Sequence, residues 1–415
     1  MTLSEELQWR GQIKDKTFDD ITYLDTPKSF YLGADCSSSD SLTIGNLAIY
    51  MLARRLLKHG WKAIMLVGGA TSLIGDPGGK EEERTLKSIE EINHNVTGIQ
   101  AQVERLVDGM DFATVNNYDW FKDVGYLQFL RDVGKHYSMT ELLQRDFIAS
   151  RIGEGGSGIS YAEFSYSLIQ GYDYWQLFKE HHVELQIGGS DQWGNMLSGV
   201  PLIRKKENAE VHALSIPLVI NAATGKKFGK SEDGAVWLDA DKTSVYQFYQ
   251  FWLNLDDESI EEYLKIYTEL SKDDVDATMK IFTEDPSQRH AQKTLAYEVT
   301  KLVHGQENAD AVVFVTDLLF GSKVAREVSP TEVAVLTGEL EVVEESDGTT
   351  VIDCLAASGL AGSNGEARRL LAQGAVKVNG YKQEENSVIT TSQAILQGHA
   401  LLQRGKNKFA LIAIK

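Results

Sequence analysis

Five short stretches of the chain collect side chains that chemistry could use. "GKKFGKSEDG" (225–234) is a glycine-rich loop with Lys227 and Lys230 three residues apart, then Ser231. Mobile paired lysines suit a developing pyrophosphate charge, since they can close as the leaving group forms. An exposed basic loop would look the same. "EFSYSLIQGYDYW" (163–175) spaces Tyr166, Gln170 and Asp173 at i, i+4 and i+7, so they share one helix face. Such a face serves as a binding wall, a surface or a buried hydrogen-bond network. "LQIGGSDQWGN" (185–195) ends a strand with Gly188, Gly189, Asp191 and Gln192, where Asp191 can accept hydrogen bonds from ribose hydroxyls. In "GGATSLIGDPGGKEEERT" (68–85), Gly68, Gly69 and Gly75 permit close backbone approach. Asp76 there is a carboxylate suited to an ammonium group, or to capping a helix. "YLGADCSSSDSLTIGNLA" (31–48) runs from strand end through a serine-rich turn to a helix N-terminus with Gly45, the layout of a nucleotide-phosphate site.

These stretches need a frame that brings strand ends together. "SFYLGAD" (29–35) leads to a helix opened by Ile44-Gly45, regular from about Leu47 and stopped at Gly60. "WKAIMLVGGA" (61–70), "VELQIGG" (183–189) and "ALSIPLVI" (213–220) read as further buried strands. The alternation predicts an α/β fold, a Rossmann-like doubly wound parallel sheet with ligands at the carboxyl ends of its strands. From about Thr243 to Phe320 the pattern turns helical. Asp285 is an N-cap candidate, Pro286 takes the first helical position, and Gly305 and Gly321 are stops. "ELEVVEESD" (339–347) has five acids and no base and reads as a solvated connector. Ser363 and Glu366 are spaced as a capping box before "ARRLLAQG", Gly374 is a stop, and Asn379-Gly380 makes a hairpin turn. The expected division is a catalytic domain over 1–221, the lysine loop and an α-helical domain over 222–320, a linker over 321–348, and a small α+β domain over 349–415.

At 415 residues, two or three domains are expected. Cys36 and Cys354 are the only cysteines, too few for a zinc site and too far apart to suggest a disulfide framework; a reducing cytoplasm follows. The opening "MTLSEELQWRGQ" lacks the basic and apolar stretches of a signal peptide, and no apolar run nears the roughly 18 residues of a membrane span. A net charge of −19 argues against a polyanionic partner until its distribution is considered. Residues 349–415 hold eight Lys/Arg and four Asp/Glu, a net of +4, which leaves −23 for residues 1–348. The basic side chains include Arg368, Arg369, Lys377, Arg404, Lys406 and Lys408. Against so acidic a body, this cluster favours RNA binding over a merely solvated face.

Taken in order, "YLGAD", "GGATSLIGDPGGK", "NNYDW", "EFSYSLIQGYD", "LQIGGSDQWGN", "KFGKS" and "FYQFWLN" resemble the bacterial-type tyrosyl-tRNA synthetases, which are class I aminoacyl-tRNA synthetases. The resemblance runs from about residue 30 to the C-terminus, whose last domain looks like the S-four-type RNA-binding domain of such enzymes. It implies a ligase that uses Mg-ATP to form tyrosyl-adenylate and pyrophosphate, then passes tyrosine to the 3′ end of its tRNA. A homodimer is also implied. Carried over, Tyr31 and Asp173 would bond the substrate phenol; Asp76, Tyr166 and Gln170 would hold its ammonium, with Asn117 and Gln192 in support. Gly33, Asp35, Gly45, Gly189 and Asp191 would surround ATP. Lys227, Lys230 and Ser231 match the family's mobile KMSKS-type loop. Lys80 and Arg84 fall where the family has basic residues near the entrance, on the tRNA side.

Two departures stand out. The HIGH-type signature reads Thr43-Ile44-Gly45-Asn46, without either histidine, and the turn "CSSSDS" is one residue longer than usual, so Ser37 or Ser38 fills the family's threonine position. Thr43 retains a hydroxyl donor and Asn46 an amide donor, so both positions can still hydrogen-bond to phosphate. An RNA-binding protein that has lost adenylation and a sister synthetase for tryptophan are the competing readings. The intact lysines count against the first, and Tyr31 with Asp173, a pair suited to a phenol, against the second.

Overall fold

The computed structural model describes residues 1–76, 87–153, 156–220, 225, 228–231, 234–321 and 328–415. They form two compact units, Met1–Asp239 with Asp256–Glu284, and Ala240–Leu255 with Asp285–Lys415. The first unit is built on five parallel strands: β1 (Ser29–Ala34), β2 (Lys62–Val67), β3 (Phe112–Asn116), β4 (Leu185–Gly189) and β5 (His212–Ile216). Their spatial order is β3-β2-β1-β4-β5, so the order reverses direction at β1 and β4. That reversal opens a crevice beyond the carboxyl ends of β1 and β4, where the doubly wound fold binds ligands. β2 is almost wholly buried and apolar, as a strand covered on both faces must be.

Three long helices cover the sheet: α1 (Ile44–Lys58), α2 (Ile89–Leu106) and α3 (Tyr161–His181). α1 begins at Ile44, slightly earlier than the apolar periodicity from Leu47 indicates, because Thr43 supplies the cap. β2 stops at Val67, and the glycines that follow open a short helix, Gly69–Ile74, instead of prolonging the strand. β3 carries no strong strand signal, being short and only half-buried.

The helical segment does not stay in one body. Helix α4 (Ile260–Tyr267) and the helix Lys272–Glu284 belong to the first unit, while the helix Val245–Leu253, α5 (His290–His304) and α6 (Gln306–Phe320) belong to the second. The cause is a pair of arginines. Arg55 of α1 is buried and donates from Nη2 to the carbonyls of Lys265, Ile266 and Thr268 at 3.0, 2.9 and 2.9 Å, and from Nη1 to Gln12 Oε1 at 2.7 Å. Arg10 donates to Lys265 O and Leu270 O, both at 2.7 Å, and pairs with Glu6 at 2.8 Å. Two cations thus satisfy the carbonyls at the C-terminal end of α4, the negative end of its dipole.

In the second unit Asp285 and Pro286 open only a 3₁₀ turn; Arg289 sits at φ +50°, and α5 starts after it. The stretch expected to be a solvated connector is structured. After α7 (Pro330–Glu339), β6 (Val342–Glu345) pairs in parallel with the last strand. Val342 and Glu344 are exposed while Val343 and Glu345 are half-buried, a two-residue period that the acid count conceals. α8 (Asn364–Ala372), β7 (Val376–Val378), β8 (Tyr381–Lys382), β9 (His399–Arg404) and β10 (Lys408–Ile414) complete the unit. The sheet order is β8-β7-β9-β10-β6, and Asn379 takes φ +52° in the expected hairpin. Ser363 caps α8 by accepting from Glu366 N at 3.2 Å, but the Glu366 carboxylate bonds Gly362 N at 2.8 Å, so the box is half made. No described helix is long and apolar enough to cross a membrane.

Arg55→Met would take the guanidinium away from Ile266 O and Thr268 O in a dry site, while Lys265 O keeps Arg10. Its expected cost is roughly 3 kcal/mol, with Arg55→Lys intermediate. Urea unfolding followed by tryptophan emission measures this, because every tryptophan except Trp252 lies in the first unit.

Candidate active site

A cavity of about 460 Å³ opens at the carboxyl ends of β1 and β4, and Tyr31, Asp76, Tyr166, Gln170, Asp173 and Gln192 are among its lining residues. The i, i+4, i+7 face of α3 therefore does turn inward. Asp173 is buried, and burial pushes its carboxyl up to about 7, against the opposing effect of donors from Asn117 and Trp120. Asn117 Nδ2 donates to Oδ2 at 3.1 Å and Trp120 Nε1 to Oδ1 at 2.9 Å. Asn117 is itself wholly buried, accepting from Ala70 N at 2.7 Å and donating to Thr71 Oγ1 at 3.1 Å. Asparagine can do this because it carries donors and an acceptor on one rigid plane.

Tyr31 presents a different condition. Its ring lies 5.2 Å from that of Tyr174, and its hydroxyl is buried with no hydrogen-bond partner among the described residues. Burial first, then the charge of Asp173, raises its pKa well above that of an ordinary phenol, so it is a neutral donor. Its cross-strand neighbour Gln186 is likewise buried, lines the cavity and has an unpaired Oε1. Native interiors rarely leave such atoms unmet. Gln186 escaped the sequence reading, although a glutamine inside the apolar strand "VELQIGG" was a usable signal. Trp120 and Asn195 also escaped it. Asn195 donates to Asp76 Oδ1 at 3.2 Å, and Gln192 Nε2 donates to Oδ2. Asp76 follows the short helix Gly69–Ile74 and does not cap it.

Asp35, another lining residue, is exposed and accepts from Ser37 N at 2.9 Å, Ser37 Oγ at 2.7 Å and Ser72 Oγ at 3.2 Å. The long serine turn is held from outside by α2. Asn95 Nδ2 donates to Cys36 O at 2.8 Å, and Gln102 Oε1 accepts from Leu42 N at 2.9 Å. Between them a side chain at Gly98 would put its Cβ 2.4 Å from Asp40 O. Gly33, Asp35, Gly45, Gly189 and Asp191 all line the cavity.

Thr43 and Asn46 line it too, but they bond each other: Thr43 N and Thr43 Oγ1 both donate to Asn46 Oδ1 at 2.9 Å. The lysine loop springs from this place. Ile44 N donates to Val236 O at 3.0 Å, and a Cβ on Gly45 would lie 3.0 Å from Phe228 O. Gly229 has φ +93° and could not carry a side chain without striking Gly45 N. Phe228 stacks on Tyr263 and Tyr267 of α4, at 4.5 and 5.5 Å between ring centres. Lys230 and Ser231 are described by their backbone, in a two-residue strand. Lys80, Arg84 and Lys227 lie outside the described residues.

In the second unit, the register sets Arg404 opposite Lys408 and Lys377 opposite Lys382. Arg404 is largely committed inside its own unit, to Leu360 O and, at 2.8 Å, to Glu366. Arg368 pairs with Glu385 at 3.3 Å; Arg369, Lys406 and Lys408 are exposed.

Residues 25–321 match the family described as tRNA synthetases class I (W and Y), and residues 333–412 match the tyrosine–tRNA ligase SYY-like C-terminal domain. The chain is 43% identical over 397 residues to a tyrosine–tRNA ligase of Anaeromyxobacter dehalogenans, covering 94% of this chain and 93% of that one. It is 41% identical to a tyrosine–tRNA ligase of Listeria welshimeri, covering 100% of both chains. A C-terminally truncated mitochondrial tyrosyl-tRNA synthetase of Aspergillus nidulans superposes with a TM-score of 0.69 at 30% identity, covering 77% of this chain and 94% of that one. With its switch-point cavity and these relatives along its whole length, this chain belongs to the class I tyrosine–tRNA ligases.

Proposed function

We infer that the chain activates L-tyrosine with Mg-ATP, releasing pyrophosphate, and transfers the tyrosyl group to the 3′ end of its tRNA. The observation that carries this is the buried Tyr31 hydroxyl without a partner, set near a buried Asp173 carboxylate. A phenol placed between them accepts from Tyr31 and gives Asp173 a donor beyond Asn117 and Trp120. Phenylalanine would leave the Tyr31 hydroxyl unmet, at about 1–3 kcal/mol, and Asp173 without that added donor. An indole has no hydroxyl to fill both roles.

The other roles follow along the cavity. Asp76, steadied by Gln192 and Asn195, takes the ammonium group together with Tyr166 and Gln170, while Asn117 fixes Asp173. This orientation leaves the tyrosine carboxylate to attack the α-phosphate in line with departing pyrophosphate. Gly33, Gly45 and Gly189 allow ATP to approach the backbone, Asp191 accepts from ribose hydroxyls, and Asp35 keeps Ser37 oriented. Lys227, Lys230 and Ser231 close on the pyrophosphate as charge develops there. Magnesium arrives with ATP as part of the substrate.

Transfer needs the tRNA, and the basic C-terminal residues supply its attraction: Arg368, Arg369, Lys377, Arg404, Lys406 and Lys408, joined by Lys80 and Arg84 near the entrance. Like charges directly opposite each other on paired strands are unfavourable in isolation, and a polyanion relieves them. The enzyme works in the cytoplasm as a homodimer. Tyr126, Leu127 and Met139, exposed by 61%, 79% and 57%, offer an apolar surface for the second copy. We propose a division of roles into catalytic (1–221), helical (222–320), linker (321–348) and RNA-binding (349–415) segments, with α4 serving the catalytic part.

Asp173→Ala should depress tyrosine-dependent ATP–pyrophosphate exchange by at least a hundredfold while leaving the far-ultraviolet dichroism unchanged; wild-type exchange kinetics in that variant would remove the assignment. Because Asp173 is pushed up to about 7, tyrosine affinity should tighten as pH rises through 7 and the carboxylate becomes able to accept the phenol proton. The same shift places a stability cost on the high-pH side, since the folded state holds its proton to higher pH than the unfolded chain. Isothermal titration across pH 6–8 measures the first effect, and Asp173→Asn should flatten it. Separately, Lys377→Glu with Lys408→Glu should leave exchange intact, weaken tRNA charging, and reduce the salt dependence of tRNA binding by about one logarithmic unit of slope per lost contact.

A further inference from the structure

The two substituted signature positions are not equivalent. Asn46 Oδ1 receives two donors from Thr43, the backbone N–H and the hydroxyl, each at 2.9 Å. A backbone N–H can only donate, so the carboxamide atom that faces it must be the oxygen. Turning the amide over would set Nδ2 against two donors. Its orientation is therefore fixed by chemistry. Nδ2 is left directed away from the cap; no described residue accepts from it, and exposed Asn46 lines the cavity.

Thr43 is in the opposite condition. A hydroxyl has one proton, and this one is donated to Asn46. What Thr43 Oγ1 could turn toward a phosphate is lone pairs, which an anion repels.

We propose that Thr43 is a positioning residue and Asn46 the sole side-chain donor of the signature turn: Thr43 holds the Asn46 carboxamide by its oxygen so that Nδ2 faces the reacting phosphate. The inference rests on the ligase reading above and corrects the expectation that both side chains donate to phosphate. The turn then works with one aimed amide beside the backbone N–H groups that open α1. A donor whose orientation is already fixed needs no reorganisation when charge develops, which is the source of its catalytic value.

The test is a double-mutant cycle on the full-length protein, read by tyrosine-dependent ATP–pyrophosphate exchange, with tyrosine affinity measured without ATP as the control for folding. Asn46→Ala should lower the exchange kcat by about 10²–10³-fold. Thr43→Val, which keeps shape and the backbone N–H but loses the hydroxyl, should lower it roughly tenfold, with KM for tyrosine unchanged. Thr43→Ser should restore it. The double variant should be no slower than Asn46→Ala alone, because Thr43 has nothing left to position. A double variant slower by the product of the two factors would make Thr43 an independent donor and overturn the proposal. Asn46→Asp supplies the second arm: it keeps the acceptor that caps the helix, so thermal stability should hold, but it replaces the donor with a charge, so exchange should fall as far as in Asn46→Ala. Full exchange in Asn46→Asp would reduce Asn46 to a helix cap and also overturn the proposal. A wild-type protein without exchange that still binds tRNA would remove the ligase reading itself, and this inference with it.

Discussion

The requirement that most organises the first unit is the burial of one carboxylate. Asp173 is a buried lining residue of the cavity, where a charge is expensive unless donors surround it. The fold supplies two, Asn117 and Trp120, from the segment that leaves β3. Asn117 is tied in turn to Ala70 N and Thr71 Oγ1 of the short helix after β2. One side chain thus holds α3, the end of β3 and the start of that helix at fixed distances. Beside Asp173 the buried Tyr31 hydroxyl has no partner among the described residues, so the surrounding sheet holds both groups in a geometry that they do not complete by themselves.

A second constraint operates at the other end of the cavity, between backbones. The stem of the lysine loop reaches α1 only because neither Gly45 nor Gly229 has a side chain, and Gly229 also needs a left-handed φ. Aromatic stacking of Phe228 on Tyr263 and Tyr267 fixes the stem from the far side. α4 in turn is held by Arg10 and Arg55. Phe228 and Gly229 are therefore fixed against α1 and α4 from both sides.

This anchoring separates what the sequence discloses from what it hides. Helix-face spacing placed Tyr166, Gln170 and Asp173 on one wall because the helical period is a local property, here of the eight residues from Tyr166 to Asp173. The strand-end glycines were legible for the same reason. The return of α4 to the first unit was not, since it depends on arginines more than 200 residues away, and nothing in "IEEYLKIY" marks its carbonyls as their targets. β6 was misread because its four residues, two valines and then two acids, show no apolar alternation, and the acids of this edge strand gave it the look of a connector. The bond between Thr43 and Asn46 also lies beyond motif comparison. A motif records which residue types occupy the turn, whereas the direction of an amide depends on which partner can only donate.

The charge distribution reconciles an acidic protein with a polyanionic substrate. Residues 1–348 carry −23 and residues 349–415 carry +4, so the protein as a whole should repel RNA at long range. At physiological ionic strength, however, exposed charges are screened beyond about 8 Å. A nucleic acid then responds to the face immediately before it, and only the basic faces attract. The acidic surface elsewhere disfavours a polyanion along its length, whereas residues 349–415 carry a net +4. Arg404 fits this division, because its guanidinium is engaged with Leu360 O and Glu366 and braces the domain from within. Lys406 and Lys408 at the turn between β9 and β10 are exposed. The net charge that first argued against an RNA partner therefore limits where the RNA can settle, not whether it binds.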